Sequence, residues 1–195
     1  IVVASGANGS LSAADIESAR TEIESGSIVL MQLEIPIDTV EYAAELASNK
    51  GISVILNPAP ARTLSEKLLK CLYVITPNEH EAEMLSGIKV TDWITAKKAA
   101  DVISSKGVNN VVITMGSQGA FVKEQDEYYT VEATKVTAVD TTAAGDSFSG
   151  AFCVALAEGK SIKDAVKVAT RVAAITVTRM GAQSSIPYRN ELALL

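Results

Sequence analysis

The sequence has only one histidine, His80, and only two cysteines, Cys71 and Cys153, among its 195 residues. A single histidine argues against a zinc site built on histidines and against a Ser-His-Asp triad. The cysteines lie far apart with no CxxC spacing, which is typical of buried thiols in a reducing compartment. We therefore expect a cytoplasmic protein without disulfide bonds.

Basic residues and long apolar runs are also scarce. The 17 Lys and Arg residues stand against 23 Asp and Glu, which gives a formal net charge of -6. Nucleic-acid binding needs clustered Lys and Arg, so we expect no nucleic-acid partner. The longest apolar run, around Ile28 to Leu33, has the length of a buried strand and is too short to cross a bilayer. We expect no membrane partner either.

What the sequence does have is a regular alternation of apolar runs and amphipathic stretches. The runs predict strands at Ser27–Leu33, Ile52–Leu56, Leu72–Ile75 and Val111–Thr114. The stretches predict helices at Ala13–Ser25, Asp38–Asn49, Ser65–Lys70 and Thr95–Lys106. Continuous apolar runs are typical of strands covered on both faces, so we expect a parallel sheet with helices outside.

The pattern changes in the second half of the chain. Short strands with polar turns are predicted at Ala120–Lys123, Tyr128–Glu132 and Lys135–Val139, as an antiparallel meander. Helices are predicted at about Ala144–Glu158 and Ile162–Met180. No linker or repeat interrupts residues 1–195, so we expect a single α/β domain. Residues 1–8 predict a strand entering a loop with neither an initiator Met nor a leader signature, so we expect the chain to begin inside a domain.

Polar residues follow each of the four predicted parallel strands. They are the segments Gln32–Glu34, Asn57–Pro60, Thr76–Glu79 and Thr114–Ser117. Ligands of open α/β sheets bind outside the carboxyl ends of the strands, where these segments lie. A purely structural domain would not need polar groups at four successive strand ends, so we expect the binding site there.

The segment from Asp140 to Phe148 combines a strand end, small residues and a helix start near Ala144. This geometry directs backbone N–H groups and the positive end of a helix dipole at one point, where an anion can bind. Asp146 in the first turn could accept a proton from an alcohol beside that anion. The alternative is a helix capped by Asp140 or Thr141, with Asp146 merely favourable near the dipole. Spacing alone leaves both interpretations open.

This segment reads Asp-Thr-Thr-Ala-Ala-Gly-Asp-Ser-Phe and resembles the C-terminal signature of the ribokinase, or PfkB, family of sugar and nucleoside kinases. The usual form has glycine where Ala143 stands here, and alanine is small enough to keep an anion-binding turn. The resemblance implies that Asp146 binds the sugar and deprotonates its hydroxyl. It also implies that Ala143, Ala144 and Gly145 supply the N–H groups of an anion hole.

Two further segments resemble elements of the same family. The resemblance of Asn78-Glu79-His80-Glu81 to an Asn-x-x-Glu element implies that Asn78 contacts ATP and that Glu81 holds Mg²⁺ through water. Alone, this segment is equally a helix start, and we expect His80 to be exposed. Thr114–Gly119 resembles a nucleotide loop, although alone it reads better as a hairpin turn. The ATP contacts implied are Asn78, Thr114, Gly116, Ser117, Gly119, Gly145 and Thr170.

Two more segments narrow the resemblance to the ribokinase branch of the family. Met31-Gln32-Leu33-Glu34 followed by Asn57-Pro58-Ala59-Pro60-Ala61-Arg62 resembles a pair of strand ends of that branch, which implies that Glu34 contacts ribose. The tail from Val177 to Pro187 implies a monovalent-cation site for K⁺; alone, it reads as a helix end and a loop stopped by proline. The residues implied for K⁺ are Asp140, Thr142, Thr176, Arg179, Gly181 and Ser185.

The resemblance thus implies a ribokinase-like three-layer α/β/α fold with a mostly parallel sheet, whose N-terminal strands and lid are absent from this chain. It implies ATP-dependent phosphorylation of the 5-hydroxyl of D-ribose with Mg²⁺ and K⁺, here in a truncated form. Sugar and ATP would be the small-molecule partners, and the full-length enzyme would be a homodimer. The alternatives are another family member, such as a fructokinase or deoxyribose kinase, and a non-catalytic nucleotide-binding fragment.

Overall fold

A six-stranded sheet forms the centre of the molecule, and the computed structural model describes residues 4–194. The strands are β1 (Ile28–Met31), β2 (Ser53–Leu56), β3 (Val74–Ile75), β4 (Asn110–Thr114), β5 (Ala120–Glu124) and β6 (Glu127–Val131). They lie in the sheet in chain order. β1 to β4 are parallel, and β5 and β6 continue the sheet antiparallel.

Helices cover both faces of this sheet. They are α1 (Ala13–Ser18), α2 (Arg20–Ser25), α3 (Ile37–Asn49), α4 (Glu66–Cys71), α5 (Glu79–Ser86), α6 (Trp93–Ser105), α7 (Ala144–Ala157) and α8 (Ile162–Thr176). Alternate strand residues face opposite layers. Val54 and Leu56 pack with α3 to α6 on one face, whereas Ile55 packs with α7 and α8 on the other. The predicted α/β/α architecture is confirmed.

The four parallel strands lie where the sequence predicts them, but the burial of β1 differs from the prediction. The strands β2 to β4 are buried on both faces, whereas Leu30 in β1 remains 38% exposed. β1 is an edge strand, so its α7 face is only partly covered. A continuous apolar run therefore does not by itself indicate a central strand.

The strand predicted at Lys135–Val139 is wrong. β6 ends at Val131, and no strand follows it among the described residues. The Val139 N–H group donates instead to the carbonyl oxygen of Val177, just past the end of α8. This bond carries the segment toward the end of that helix, so its β-branched residues pair with no strand.

Several helix boundaries also differ from the prediction. The helix predicted at Ala13–Ser25 is broken at Ala19, and the last helix ends at Thr176 rather than Met180. The segment Glu79–Ser86 forms a helix that the apolar pattern did not predict. Of the strand predicted over residues 1–8, residues 1–3 lie outside the described residues and residues 4–8 form no strand. No helix within residues 4–194 has the length and apolar character needed to span a bilayer.

Candidate active site

A cavity of about 150 Å³ lies between the carboxyl ends of β2 to β4 and the N-terminus of α7. One wall consists of strand ends, the residues that follow them and the start of α5, and the other of the loop before α7 and the first turns of that helix. The residues that line it are Asn57, Ala59, Thr76, Asn78, Glu81, Thr114, Thr141, Ala143, Ala144, Gly145, Asp146, Phe148 and Ser149. The site therefore lies at the edge of the sheet where the polar strand ends predict it.

The N-terminus of α7 leaves two backbone N–H groups free. Ala143 adopts a left-handed conformation, with φ 60° and ψ 11°, and its carbonyl accepts from the N–H of Ser147. Among the described residues, none accepts a hydrogen bond from the N–H of Gly145 or Asp146. Free N–H groups at a helix N-terminus bind anions, because the helix dipole adds to their partial positive charge. This turn therefore fits a phosphate group.

Asp146 is the third residue of α7 and lines the same cavity. The residue is exposed, and its carboxylate has no hydrogen-bond partner within residues 4–194. The alternative in which Asp140 or Thr141 caps α7 is wrong, because the N-cap residue is Ala143 and no described side chain caps the helix. The oxygens of Asp146 remain available to a ligand next to the anion-binding turn.

Asn78 and Glu81 form a reciprocal capping box at the start of α5. The Asn78 side chain accepts from the Glu81 N–H at 2.9 Å, and the Glu81 carboxylate accepts from the N–H of Asn78, also at 2.9 Å. Glu81 is only 6% exposed, and this burial raises its pKa. A buried carboxylate on a cavity wall fits a hydrated cation nearby, whose charge would offset the cost of burial.

The residues implied for K⁺ converge only in part. Asp140 accepts hydrogen bonds from the N–H groups of Thr142 and Gly181, so these three residues lie together. The Arg179 side chain turns away to pair with Glu191 at 2.6 Å. The buried hydroxyls of the other two residues donate to nearby carbonyls, Thr176 to Val172 and Ser185 to Ala182. Among residues 4–194, no three His, Cys, Asp or Glu side chains are grouped to hold a metal, so backbone carbonyls and water would complete such a site.

Other predicted residues lie outside the cavity. Glu34 is exposed in the loop after β1. Gly116 and Ser117 form a short 3₁₀ turn after Thr114. Gly119 has φ 106°, and a Cβ atom there would come within 2.0 Å of the carbonyl oxygen of Val131 in β6, so the backbone requires glycine at this position without any nucleotide. Thr170 is buried in α8, and its hydroxyl has no partner among the described residues.

The cavity also includes polar residues to which the sequence gave no role. Asn57 follows β2, Thr76 follows β3, and Ser149 lies one helical turn after Asp146. Asn57 and Thr76 belong to two of the polar strand ends, so position alone could have identified them. Ser149 could have been identified from the i, i+3 spacing to Asp146 on one helix face.

The sequence of this chain is similar to those of known carbohydrate kinases. A family model described as "pfkB family carbohydrate kinase" matches residues 1–189. The ribokinase of Haemophilus influenzae is 48% identical over 191 residues, which covers 98% of this chain and 62% of that protein. The deoxyribokinase of Salmonella typhi is 39% identical over 189 residues, with 96% of this chain and 61% of that protein covered.

The fold is also close to that of a solved relative. The structure of Arabidopsis thaliana ribokinase complexed with ribose and ATP matches with a TM-score of 0.93 at 28% identity. The match covers 99% of this chain and 63% of the plant protein. The chain thus spans less than two thirds of the length of these relatives. Because the family model matches nearly its whole length, the chain belongs to the pfkB family of carbohydrate kinases.

Proposed function

We propose that the protein represented by this chain transfers the terminal phosphoryl group of ATP to the 5-hydroxyl of D-ribose. The observation that carries the proposal is the position of Asp146, an unpartnered carboxylate in the same cavity as the free N–H groups of Gly145 and Asp146. Phosphoryl transfer to an alcohol needs a base that accepts the hydroxyl proton and N–H groups that hold the phosphoryl oxygens. The similarity to ribokinases supports ribose as the acceptor.

In this mechanism the protein positions the reactants and stabilises charge. The Asp146 carboxylate accepts the proton of the sugar hydroxyl as its oxygen attacks, a contribution of roughly 10²–10⁴-fold to the rate. The N–H groups of the turn at Ala143, Ala144 and Gly145 would hold the oxygens of the transferring group, and that of Ala144 would first have to release its 3.3 Å bond to the Thr141 carbonyl. A single such donor contributes roughly 10²–10³-fold in other enzymes.

Mg²⁺, when bound, would neutralise charge on the ATP phosphates. Glu81 and Asn78 would hold it through its water molecules, since both lie on the cavity wall next to the phosphate turn. The capping box keeps the Glu81 carboxylate in place before any ligand binds. We assign these residues to metal and phosphate positioning rather than to proton transfer.

The remaining site residues serve sugar, nucleotide and K⁺ in this proposal. Glu34 would contact ribose, and Thr114, Gly116, Ser117, Gly119 and Thr170 would bind the nucleotide. K⁺ would bind near Asp140, Thr142, Thr176, Arg179, Gly181 and Ser185. The hydrogen bonds that Asp140 accepts from the N–H groups of Thr142 and Gly181 support a common location for these three residues.

We also propose that residues 1–195 form one domain and that the complete enzyme is a cytoplasmic homodimer. The free thiols of Cys71 and Cys153 support a reducing compartment. The continuous six-stranded sheet supports the single domain.

The test is coupled ADP production by this chain with ATP, Mg²⁺ and K⁺, with and without D-ribose. Ribose-dependent turnover is expected to disappear in Asp146→Asn, while ATP binding measured by calorimetry remains within about threefold. Equal loss of turnover and ATP binding would contradict the role of Asp146 as base. ATP binding by the unsubstituted chain without any sugar-dependent turnover would favour the non-catalytic fragment.

The 39% identity to a deoxyribokinase supports 2-deoxy-D-ribose as a second candidate acceptor. The two sugars differ by one hydroxyl group, and a site that hydrogen-bonds that hydroxyl rejects the analogue that lacks it by a large factor. Comparing kcat/KM for the two sugars decides between them. A higher value for 2-deoxy-D-ribose would replace ribose as the acceptor and leave the phosphoryl transfer unchanged.

A further inference from the structure

Asn57 is a mostly buried residue whose side-chain amide is open to the cavity. The residue is 8% exposed and lines the cavity. Its backbone N–H donates to the carbonyl of Met31, but its side chain has no hydrogen-bond partner among the described residues. Because the amide is open to the cavity, water can take its hydrogen bonds, and a ligand that fills the cavity would replace that water.

Two other asparagines in the same sheet region show the contrast. Asn78 uses its amide in the α5 capping box. Asn110, at the opposite end of β4, is 3% exposed and donates from its amide to the carbonyl of Tyr73 at 2.9 Å. Asn78 therefore uses both ends of its amide within the protein, and Asn110 uses its donor while its Oδ1 is buried without a partner among the described residues. The amide of Asn57 has no partner at either end within residues 4–194 and lines the cavity.

Ser149 repeats the pattern on the α7 wall. It is 5% exposed, lines the same cavity, and its hydroxyl has no partner within residues 4–194. The neighbouring hydroxyl of Ser147, by contrast, donates to the carbonyl of Ala144 at 2.9 Å. Two donors without a partner within residues 4–194 therefore lie on cavity walls contributed by a strand end and a helix, where both are open to the cavity.

The charges of the cavity indicate which ligand these donors serve. The titratable side chains that line it, Glu81 and Asp146, are both acidic, and none of the described lining residues is Lys, Arg or His. Phosphoryl oxygens only accept hydrogen bonds, and carboxylates cannot donate to them. An anion here must therefore be held by neutral donors and by any bound cation.

We propose that the amide of Asn57 donates a hydrogen bond to an oxygen of the terminal phosphoryl group of ATP, with the hydroxyl of Ser149 as a second donor. This inference rests on the proposed function, since it deepens the assignment of the same cavity. Asn57 follows β2, between the loop after β1 that carries Glu34 and the loop after β3 that carries Asn78. It thus stands between the proposed sugar side and the proposed metal side.

The test compares the affinity of this chain for Mg-ATP and Mg-ADP by calorimetry. Because only ATP carries the terminal group, Asn57→Ala is expected to weaken ATP about tenfold and ADP less than twofold. Asn57→Asp keeps the size but removes the donors, so its loss for ATP is expected to be at least as large. Ser149→Ala is expected to weaken ATP by about threefold in the same selective way.

Asn110→Ala is the matched control, a buried asparagine outside the cavity, which should lower the melting temperature without changing the ATP to ADP ratio. An unchanged ratio in Asn57→Ala, or full ATP affinity in Asn57→Asp, would overturn the inference and leave the proposed function standing. If the unsubstituted chain bound neither nucleotide, the proposed nucleotide site and this inference would both fail.

Discussion

The carboxylate of Asp140 accepts a hydrogen bond from the backbone N–H of Gly181 at 3.0 Å, which joins the loop before α7 to the segment after α8. Its other oxygen accepts from the N–H of Thr142 at 2.9 Å. The hydrogen bond from the Gly181 N–H lowers the pKa of Asp140 most, and hydrogen bonding with Thr142 lowers it further. Thr142 precedes Ala143, so the carboxylate fixes the backbone immediately before the anion-binding turn.

Asp140→Asn should loosen this junction. An asparagine side chain has one acceptor oxygen, so only one of the two N–H groups keeps its partner and the other faces an NH₂ group. We expect faster hydrogen exchange at Thr142 or Gly181 and a weaker response of ATP binding to K⁺. Asp126→Asn, the same charge change in the β5–β6 turn, should change neither. Unaltered exchange at both N–H groups in Asp140→Asn would contradict this role for the carboxylate.

Ala143→Gly should stabilise the protein. Ala143 has φ 60°, a left-handed conformation that costs a residue with a Cβ atom about 1–2 kcal/mol. Glycine removes this cost but adds entropy to the unfolded chain, so we expect a net gain of up to about 1 kcal/mol in urea unfolding. Ala144→Gly, one residue later at the first position of the helix, should instead lose up to about 0.5 kcal/mol. Changes of the same sign in both variants would refute the argument.

Asp101→Asn should destabilise the packing of α6 against the β5–β6 hairpin. Asp101 pairs with Lys123, whose side chain is 9% exposed, at 3.2 Å, and accepts from the Tyr128 hydroxyl at 2.7 Å. Asparagine keeps one acceptor oxygen but no charge, so the buried Lys123 ammonium loses its counter-ion and keeps the neutral Tyr128 oxygen, which should cost about 1–3 kcal/mol in urea unfolding. Lys97→Gln removes an exposed partner of Asp101 and should cost under about 1 kcal/mol. Equal losses would mean that burial of Lys123 is unimportant.

The sequence predicts the strands and the site well wherever local pattern and tertiary position agree. The runs that form β2 to β4 are apolar throughout because helices cover both faces of the sheet, so the sequence itself indicates that these strands are buried. Likewise, Asn78, Glu81 and Thr114 meet because the parallel strands β3 and β4 end at the same edge of the sheet, and the N-terminus of α7 brings Asp146 to them.

Where long-range contacts decide the structure, the sequence fails to predict it. The β-branched segment ending at Val139 reads as a strand, but its N–H bonds to Val177, which is distant in the chain. The α5 helix has a weak apolar stripe and depends on the capping box of Asn78 and Glu81. The role of Asn57 depends on which partners its amide lacks, and only the folded arrangement shows this.

Leu30→Lys should reduce self-association of this chain. Among the described residues no strand pairs with the outer edge of β1, and an unpaired edge can pair with another chain. Leu30 is 38% exposed on this strand, and Val154 on the contacting helix α7 is 50% exposed, so the edge is also apolar. A charge at Leu30 opposes edge pairing, and sedimentation velocity should show less concentration-dependent association.

Ile94→Lys adds the same charge at a residue that is 70% exposed on α6, away from any sheet edge, and should leave the association unchanged. An equal decrease in both variants would attribute the effect to net charge rather than to the edge of β1.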